Sequence, residues 1–268
     1  MPIVFKAVMP HGEELLPHTA EDAGLMVLRR AMAAIGRAFR TCAVDLLLVA
    51  SPHHLRIPGH LAIADTAYVE GELASYGRAY GLRLQLDRAF NRTLADAAAA
   101  AGLPAARVSF QTTDGPLSTL PLDFGSIVPL HFLAGGQPLP RLCLVGPPRD
   151  LGLRPLVRLG EQIAMRSGLR RVALIASADL AHAHLADGPY GLDPAAASYD
   201  ALVQAAALAG DLSPLARLPI DFLATAKPDA PWQLAILQGA MAGPHAVHDF
   251  AYARPSYFGM LAARFEPL

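Results

Sequence analysis

The sequence predicts an α/β fold, with one domain over residues 1–268 in which helices flank a central mixed, largely parallel sheet. Short, wholly apolar runs such as Leu46–Ala50 are typical of strands that are buried on both faces. These runs alternate with longer segments of helical periodicity, as in βαβ units. The chain has 268 residues, 53% of them hydrophobic, which is enough for a sizeable core.

The N-terminal half is predicted to alternate strands and helices. Acidic residues in 19–22 suit a first helical turn, and apolar residues then recur at helical spacing to about Phe39. Gly102 is expected to end a second helix, and Asp114-Gly115-Pro116 predicts a turn. The predicted strands are 3–9, 44–50, 61–70 and 108–111, and the predicted helices are 19–39 and 91–101.

The C-terminal half continues the alternation. A helix is expected to begin within 122–132, with Pro129 in an early turn. Gly168 is expected to end a further helix, and an alanine-rich stretch predicts another. The predicted strands are 141–145, 172–176 and 257–265, and the remaining predicted helices are 153–167, 194–209 and 231–241.

Composition narrows the classes of partner and compartment. The formal net charge is −1 with scattered Lys and Arg, so we expect neither nucleic acid nor an anionic membrane as a partner. We see no signal peptide and no uncharged apolar stretch of membrane-spanning length. Cys42 and Cys143 are interpreted as buried free thiols, which favours a reducing, cytoplasmic location. Because only 17% of residues are charged, we also expect a homo-oligomer, a dimer or larger.

Histidines follow three of the predicted strands directly. His11 comes after 3–9, His53 after 44–50, and His182 after 172–176. The carboxyl ends of parallel strands are where α/β proteins bind ligands, and neutral imidazole is the commonest protein ligand for divalent first-row metals. The sequence therefore predicts a histidine-lined metal site at one edge of the sheet. The other histidines away from these strand ends are interpreted as structural residues: His60, His131, His245 and His248.

Several short motifs occur in a defined order along the chain. They are MPHG at 9–12, SPHH at 51–54, LDFGSIVPL at 122–130 and SADLAH at 177–182, followed by WQLAILQGA at 232–240 and YFGM at 257–260. In this order the chain resembles the LigB-type class III extradiol ring-cleavage dioxygenases and their Memo-like relatives. Each motif alone is weak, but the ordered set covers nearly the whole sequence.

The resemblance implies a ligand set and catalytic roles. His11 and His53, rather than His54, match the family's histidine ligands of non-haem Fe(II). The third ligand of the family, usually Glu, matches Asp229 in the loop 225–231, although the register is off by about one residue. His182 matches the family's acid/base histidine, with His184 as a competitor.

Asp179, three residues before His182, has two interpretations. It is expected either to orient an imidazole or a metal ligand, or simply to cap a helix after the strand. Asp179 is a candidate catalytic residue together with His182.

The implied activity is cleavage of a catechol-type or related aromatic ring with dioxygen. Many ring-cleaving members have Asp-His-Gly where this chain has Asp123-Phe124-Gly125, and phenylalanine can neither donate nor accept a proton. Two alternatives therefore stay open. One is a Memo-like metal-binding or interaction protein without ring cleavage. The other is a zinc-dependent hydrolase, since two histidines and a carboxylate also suit zinc or another divalent ion.

Overall fold

The computed structural model describes residues 3–17, 22–100 and 102–268. Within these ranges the strands β1–β11 are Ile3–Met9, Leu46–Ala50, Leu61–Ala64, Tyr68–Ser75, Arg78–Gln85, Ala105–Val108, Thr119–Pro121, Arg141–Gly146, Val172–Ser177, His245–Ala253 and Met260–Pro267. The helices α1–α7 are Ala23–Thr41, Arg88–Ala100, Phe124–Ala134, Leu153–Arg166, Pro194–Leu208, Ile220–Ala226 and Pro231–Ala240.

A mixed sheet forms the centre of the described chain, with the strand order β10-β11-β1-β9-β2-β8-β3-β6. The inner strands β1, β9, β2 and β8 run parallel to one another. β11 pairs antiparallel with β1, and β3 pairs antiparallel with β8. A smaller sheet of β5, β4 and β7 packs beside the main one. The predicted fold class, an α/β domain with a mixed and largely parallel sheet flanked by helices, is confirmed.

The inner strands are apolar on both faces because helices cover both faces. In β2, Leu46 and Leu48 belong to the core beneath α2, α4, α5 and α7, whereas Leu47 and Val49 belong to the core beneath α1 and α3. All four side chains are fully buried. This double burial explains why the strand has no polar residue until it ends, which places the first polar side chains at the sheet edge.

Helices α4 and α7 approach closely through two glycines. A Cβ at Gly239 would lie 1.8 Å from the carbonyl oxygen of Val157, and one at Gly160 would lie 2.0 Å from that of Ile236. Larger side chains would therefore push the helices apart. The contact holds the C-terminal half of α7 against α4, and the loop that carries Asp229 directly precedes α7.

Several predicted boundaries are corrected by the structure. The predicted strand 61–70 is two strands, β3 and β4, and the strand predicted at 108–111 is instead β6, which ends at Val108. The predicted helix 91–101 begins at Arg88, because the Asp87 carboxylate accepts the backbone N–H of Phe90. The strands predicted at 44–50 and 257–265 begin at Leu46 and Met260. His18 and the predicted helix start at 19–21 lie outside the described residues.

The hairpin of β4 and β5 shows why part of the fold was missed. Its two-residue turn consists of Tyr76 and Gly77, both at positive φ, 50° and 73°. A hairpin turn with positive φ at both central residues is usually predicted from Asn-Gly or Asp-Gly, so the Tyr-Gly sequence did not indicate a hairpin here.

No helix in the described ranges has both the length and the apolar character needed to cross a bilayer.

Candidate metal site

The candidate site lies at the carboxyl edge of three adjacent inner strands. His11 follows β1, Asp179 follows β9 and His53 follows β2, so three neighbouring strands deliver them to one edge. Asp229 reaches the same place from the loop between α6 and α7. Residues that are far apart in the chain therefore meet because of the parallel strand order.

Two imidazoles and one carboxylate form a cluster at this edge. The Nε2 atoms of His11 and His53 are 3.1 Å apart. The Asp229 Oδ2 atom lies 3.2 Å from Nε2 of His11 and 3.4 Å from Nε2 of His53. All the donor atoms fall within 4.8 Å of one another, as ligands of a single ion must. His11 and Asp229 are buried, and His53 is partly exposed.

A proline in α3 determines which nitrogen of His11 points into this cluster. Pro129 has no N–H, so the carbonyl of Gly125, four residues earlier, lacks its helical partner. The Ser177 hydroxyl donates to that carbonyl instead. With its one hydrogen used, the Ser177 oxygen can only accept from Nδ1–H of His11, 2.9 Å away. In the neutral ring, Nε2 therefore carries the lone pair that faces His53 and Asp229.

His53 is fixed by the start of α3. Asp123 caps that helix by accepting the backbone N–H of Ser126, and the Ser51 hydroxyl donates to the same carboxylate at 2.6 Å. A Cβ at position 125 would lie 2.9 Å from the His53 ring, so the site requires Gly125 there. Phe124 covers the outer face of the His53 ring, with the ring centroids 4.2 Å apart.

The two carboxylates beside His11 differ in their pKa values. Burial raises the pKa of Asp179 to about 7, against the opposing effect of His11. Burial acts on Asp229 too, but the charge and hydrogen bond of His11 outweigh it and lower the pKa of Asp229. For His11 itself, burial is outweighed by the two carboxylates, which raise its pKa to about 9. Asp229 is thus the ionised oxygen donor, and a metal ion would displace a proton from His11.

Asp179 orients its neighbours rather than capping a helix. Its Oδ1 accepts the backbone N–H of His11 at 3.1 Å, and its own N–H donates to Oδ1 of Asp229 at 3.0 Å. Its Oδ2 lies 3.4 Å from Nε2 of His11. The helix-cap interpretation of Asp179 is wrong, since no helix of the described chain begins after β9 until Pro194.

His182 and His184 occupy different environments. His182 is half-buried where two clefts of about 740 Å³ each meet, together with His53 and Tyr190. Its ring stacks on Phe258 with the centroids 5.1 Å apart. His184 instead points into the protein, where its Nε2 lies 2.9 Å from the buried Asp200 carboxylate. Only His182 of the two lines the clefts.

Burial lowers the pKa of His182, and this effect is larger than the opposing effect of the nearby Asp229 charge. Its Nδ1 lies 2.9 Å from the Leu180 carbonyl, which accepts the ring N–H. The ring is therefore neutral at neutral pH and has a carbonyl partner that would help to hold a second proton.

The other histidines stay outside the cluster. His60 Nδ1 lies 2.9 Å from the Pro58 carbonyl, and His245 Nδ1 lies 2.9 Å from that of Gly243. His248 faces Glu266 at 3.4 Å. His131 packs edge-on against Tyr80. Their interpretation as structural residues agrees with these contacts.

Sequence reasoning missed the residues that hold the imidazoles, namely Ser177, Gly125 and Asp123. A signal for one of them existed: a proline inside a predicted helix frees a carbonyl four residues earlier, which then needs a donor from elsewhere. Nothing in the sequence identified Ser177 as that donor.

The role of Ser177 gives a first testable prediction. In Ser177→Ala the Gly125 carbonyl and Nδ1–H of His11 both lose their partner, so His11 is no longer held with Nε2 toward Asp229. We expect the affinity for Fe(II) or Zn²⁺ to fall by about 10–100-fold, as when a metal-bound imidazole loses its outer hydrogen bond. Calorimetric titration of the metal into the protein measures this affinity. Ser167→Ala is the control, because that buried hydroxyl at the C-cap of α4 donates to the Ile163 carbonyl, away from the site. Equal affinity in both variants would contradict the assigned role.

An α/β sheet at whose edge two imidazoles from strand ends meet a carboxylate from a loop defines a class of fold with a possible site for a divalent ion. Comparison with family models gives the particular family. Residues 7–261 match the family described as the catalytic LigB subunit of aromatic ring-opening dioxygenase. The chain belongs to the LigB family, as its motifs indicated.

Several solved structures share the fold, and one of them aligns along nearly the whole chain. The crystal structure of an uncharacterized protein, JW3007 from Escherichia coli K12, has a TM-score of 0.63 and 15% sequence identity. The alignment covers 98% of this chain and 100% of that one. At this identity the likeness shows the fold alone. No curated protein matches the sequence.

Proposed function

We propose that the protein is an Fe(II)-dependent extradiol dioxygenase, which opens a catechol-type or related aromatic ring with dioxygen. The observation that carries the proposal is the cluster of His11, His53 and Asp229 in a chain of the LigB family. Two imidazoles and one carboxylate on one face of an iron ion leave positions free for substrate and dioxygen.

The donor set fits a divalent cation. Two imidazole nitrogens 3.1 Å apart repel each other when both are unprotonated, unless a positive charge lies between them and the neighbouring carboxylate. Ser177 directs the lone pair of His11 to that point, and Asp229 supplies the negative charge. The three residues would hold the ion, with Asp179 orienting two of them.

The chain's own residues would position and deprotonate the substrate. When bound, the ion would supply a Lewis acid for the catechol oxygens and a redox centre for dioxygen. The neutral His182 ring would take a proton from a catechol hydroxyl and return it to the opened product. Phe258 and Tyr257 back that ring, with centroids 5.1 and 5.9 Å away, and help to exclude water from it.

Anaerobic reconstitution tests the proposal. The protein loaded with Fe(II) and then exposed to oxygen is expected to consume catechol, aminophenol or gallate-type compounds with one O₂ per ring, and to give the visible absorbance of an opened ring. Zinc-loaded protein is the control, since zinc has no redox chemistry. Iron-loaded protein that turns over none of these compounds would contradict the proposal, and hydrolysis of esters by the zinc form would favour a hydrolase.

Phe124 supports a second candidate, a Memo-like metal-binding protein without ring cleavage. Its ring lies over His53 and faces the cleft, so a proton-transferring side chain is absent at this point. Phe124→His would place an imidazole there. If the chain has lost ring cleavage through this residue, Phe124→His is expected to gain measurable turnover without a change in iron affinity. If the wild type is active without a histidine at this position, the substitution is expected to change turnover by less than about 10²-fold, the lower end of the usual contribution of one acid/base group.

A further inference from the structure

The two clefts that meet at His53, His182 and Tyr190 have opposite charge. The first, here the acidic cleft, has no Lys or Arg among the described residues that line it; its acidic residues are Glu13, Glu14, Asp22 and Asp179. The second, here the basic cleft, is lined by five basic residues and two acidic ones. The basic residues are Arg56, Arg149, Arg154, Arg217 and Lys227, and the acidic ones are Asp150 and Asp229.

The two acidic residues of the basic cleft do not neutralise it. Two carboxylates cannot balance five cations. Asp229 contacts His11 and His53, and Asp150 accepts the backbone N–H of Gly59 at 2.7 Å. Within the described ranges, Arg149, Arg154 and Arg217 form no ion pair with a carboxylate, and neither does Lys227. The cleft therefore carries an uncompensated positive charge beside the candidate metal site of His11, His53 and Asp229.

Arg149 is the most constrained of these cations. Its guanidinium lies over the Trp232 ring, 5.5 Å from the centroid. Its Nε is buried and has no hydrogen-bond partner in the described chain. A buried donor without a partner costs stability unless a ligand supplies the acceptor. The planar fork of arginine matches a carboxylate through two parallel hydrogen bonds.

The start of α4 adds a second feature for an anion. Gly152 and Leu153 line the basic cleft, and Gly152 caps the helix without any side-chain acceptor. Leu153 and Arg154, the first two residues of this 14-residue helix, line the cleft and have N–H groups without an intrahelical partner, whereas Pro155 has no N–H. The helix start therefore adds partial positive charge at the cleft.

We propose that the basic cleft binds a carboxylate borne on an arm of the aromatic substrate, with Arg149 as a specificity-determining residue. This rests on the proposed function, in which the reacting ring would lie at the candidate metal site. Clefts of about 300–1,000 Å³ suit ligands much larger than catechol, so a cleft of 740 Å³ leaves room for such an arm. The acidic cleft would repel the same carboxylate, so the charges also fix which way the substrate lies.

Binding of a matched acid and ester tests the proposal without turnover. The probes are 3-(4-hydroxyphenyl)propionate and its methyl ester, titrated calorimetrically into the full-length protein. Quenching of Trp232, which lines the cleft and is the only tryptophan in the sequence, gives a second readout. We expect the acid to bind at least about tenfold more tightly than the ester, as for a hydrogen-bonded charge pair.

Substitutions then test which residues cause the preference for the acid over the ester. Arg149→Gln is expected to reduce the acid-to-ester ratio to below about threefold, because the charge-assisted hydrogen bonds are lost. Arg166→Gln, on the exposed last turn of α4, is the matched control and keeps the ratio. Should Arg149→Gln fail to fold, the double variant Arg154→Gln with Arg217→Gln, both exposed positions, is expected to lower the same ratio.

Two results would overturn the proposal. One is equal binding of acid and ester by the wild type, and the other is an acid preference that survives in the folded variants. A failure of the proposed function gives a different result. Acid-selective binding with no ring cleavage would support carboxylate binding by the basic cleft and contradict the proposed activity. Equal cleavage of 3-(3,4-dihydroxyphenyl)propionate and its methyl ester would support the proposed activity and contradict carboxylate binding by the basic cleft.

Discussion

His11→Ala and His53→Ala are each expected to abolish stable binding of Fe(II). Each removes one of two imidazoles whose Nε2 atoms lie 3.1 Å apart, and leaves a single nitrogen with Asp229. Loss of a hydrogen-bond partner of a ligand costs about 10–100-fold in affinity, and loss of the ligand itself should exceed that range. Elemental analysis of anaerobically prepared protein, together with metal titration, measures the change. Any ring-cleavage activity is expected to disappear with the metal.

The matched control is His60→Ala. His60 is exposed, and its Nδ1 lies 2.9 Å from the nearby Pro58 carbonyl. This variant should retain the metal of the wild type. If His11→Ala and His53→Ala hold as much metal as His60→Ala, the metal site is misassigned.

His182→Ala is expected to lower turnover by about 10²–10⁴-fold while the bound metal is unchanged, the usual contribution of one acid/base group. The ring lies where both clefts meet, and burial keeps its pKa low, so it is available as a base at neutral pH. It is not part of the cluster formed by His11, His53 and Asp229. Steady-state kinetics with a catechol substrate, alongside elemental analysis, separates the two effects.

His248→Ala serves as the control for this second experiment, because that imidazole faces Glu266 on β11, at 3.4 Å. A His182→Ala variant that keeps the turnover of His248→Ala would remove His182 from the mechanism. One that loses its metal would show that the ring acts as a ligand or supports one.

The inner strands were predictable because burial on both faces leaves an unambiguous pattern. All five residues of Leu46–Ala50 are apolar, so the strand must be buried on both faces of the sheet, and the polar residues that follow it lie at the sheet edge. The smaller sheet was less visible, because β5 alternates exposed and half-buried residues and its turn uses Tyr76 at positive φ. Such strands depend on tertiary contacts more than on local pattern.

The site was predictable in its ligands but not in the residues that orient them. Three strand ends carrying histidine gave two members of the cluster and His182. The choice between His182 and His184 depends on Asp200, which holds the latter ring from a distant helix. Asp229 reaches the cluster although its register is unusual. Lys227 turns the chain at a φ of 56°, and the backbone N–H of Asp179 donates to the Asp229 carboxylate. Neither the turn nor the hydrogen bond has a signature in the sequence.

Anomalous diffraction at the iron edge, from crystals grown anaerobically with Fe(II), tests the central claim most directly. We predict one iron peak bounded by Nε2 of His11, Nε2 of His53 and a carboxylate oxygen of Asp229, at about 2.0–2.2 Å from each, as for nitrogen and oxygen ligands of a divalent first-row metal. An iron peak elsewhere, or none between these three side chains at full iron loading, would contradict the assignment and the ring-opening chemistry proposed from it.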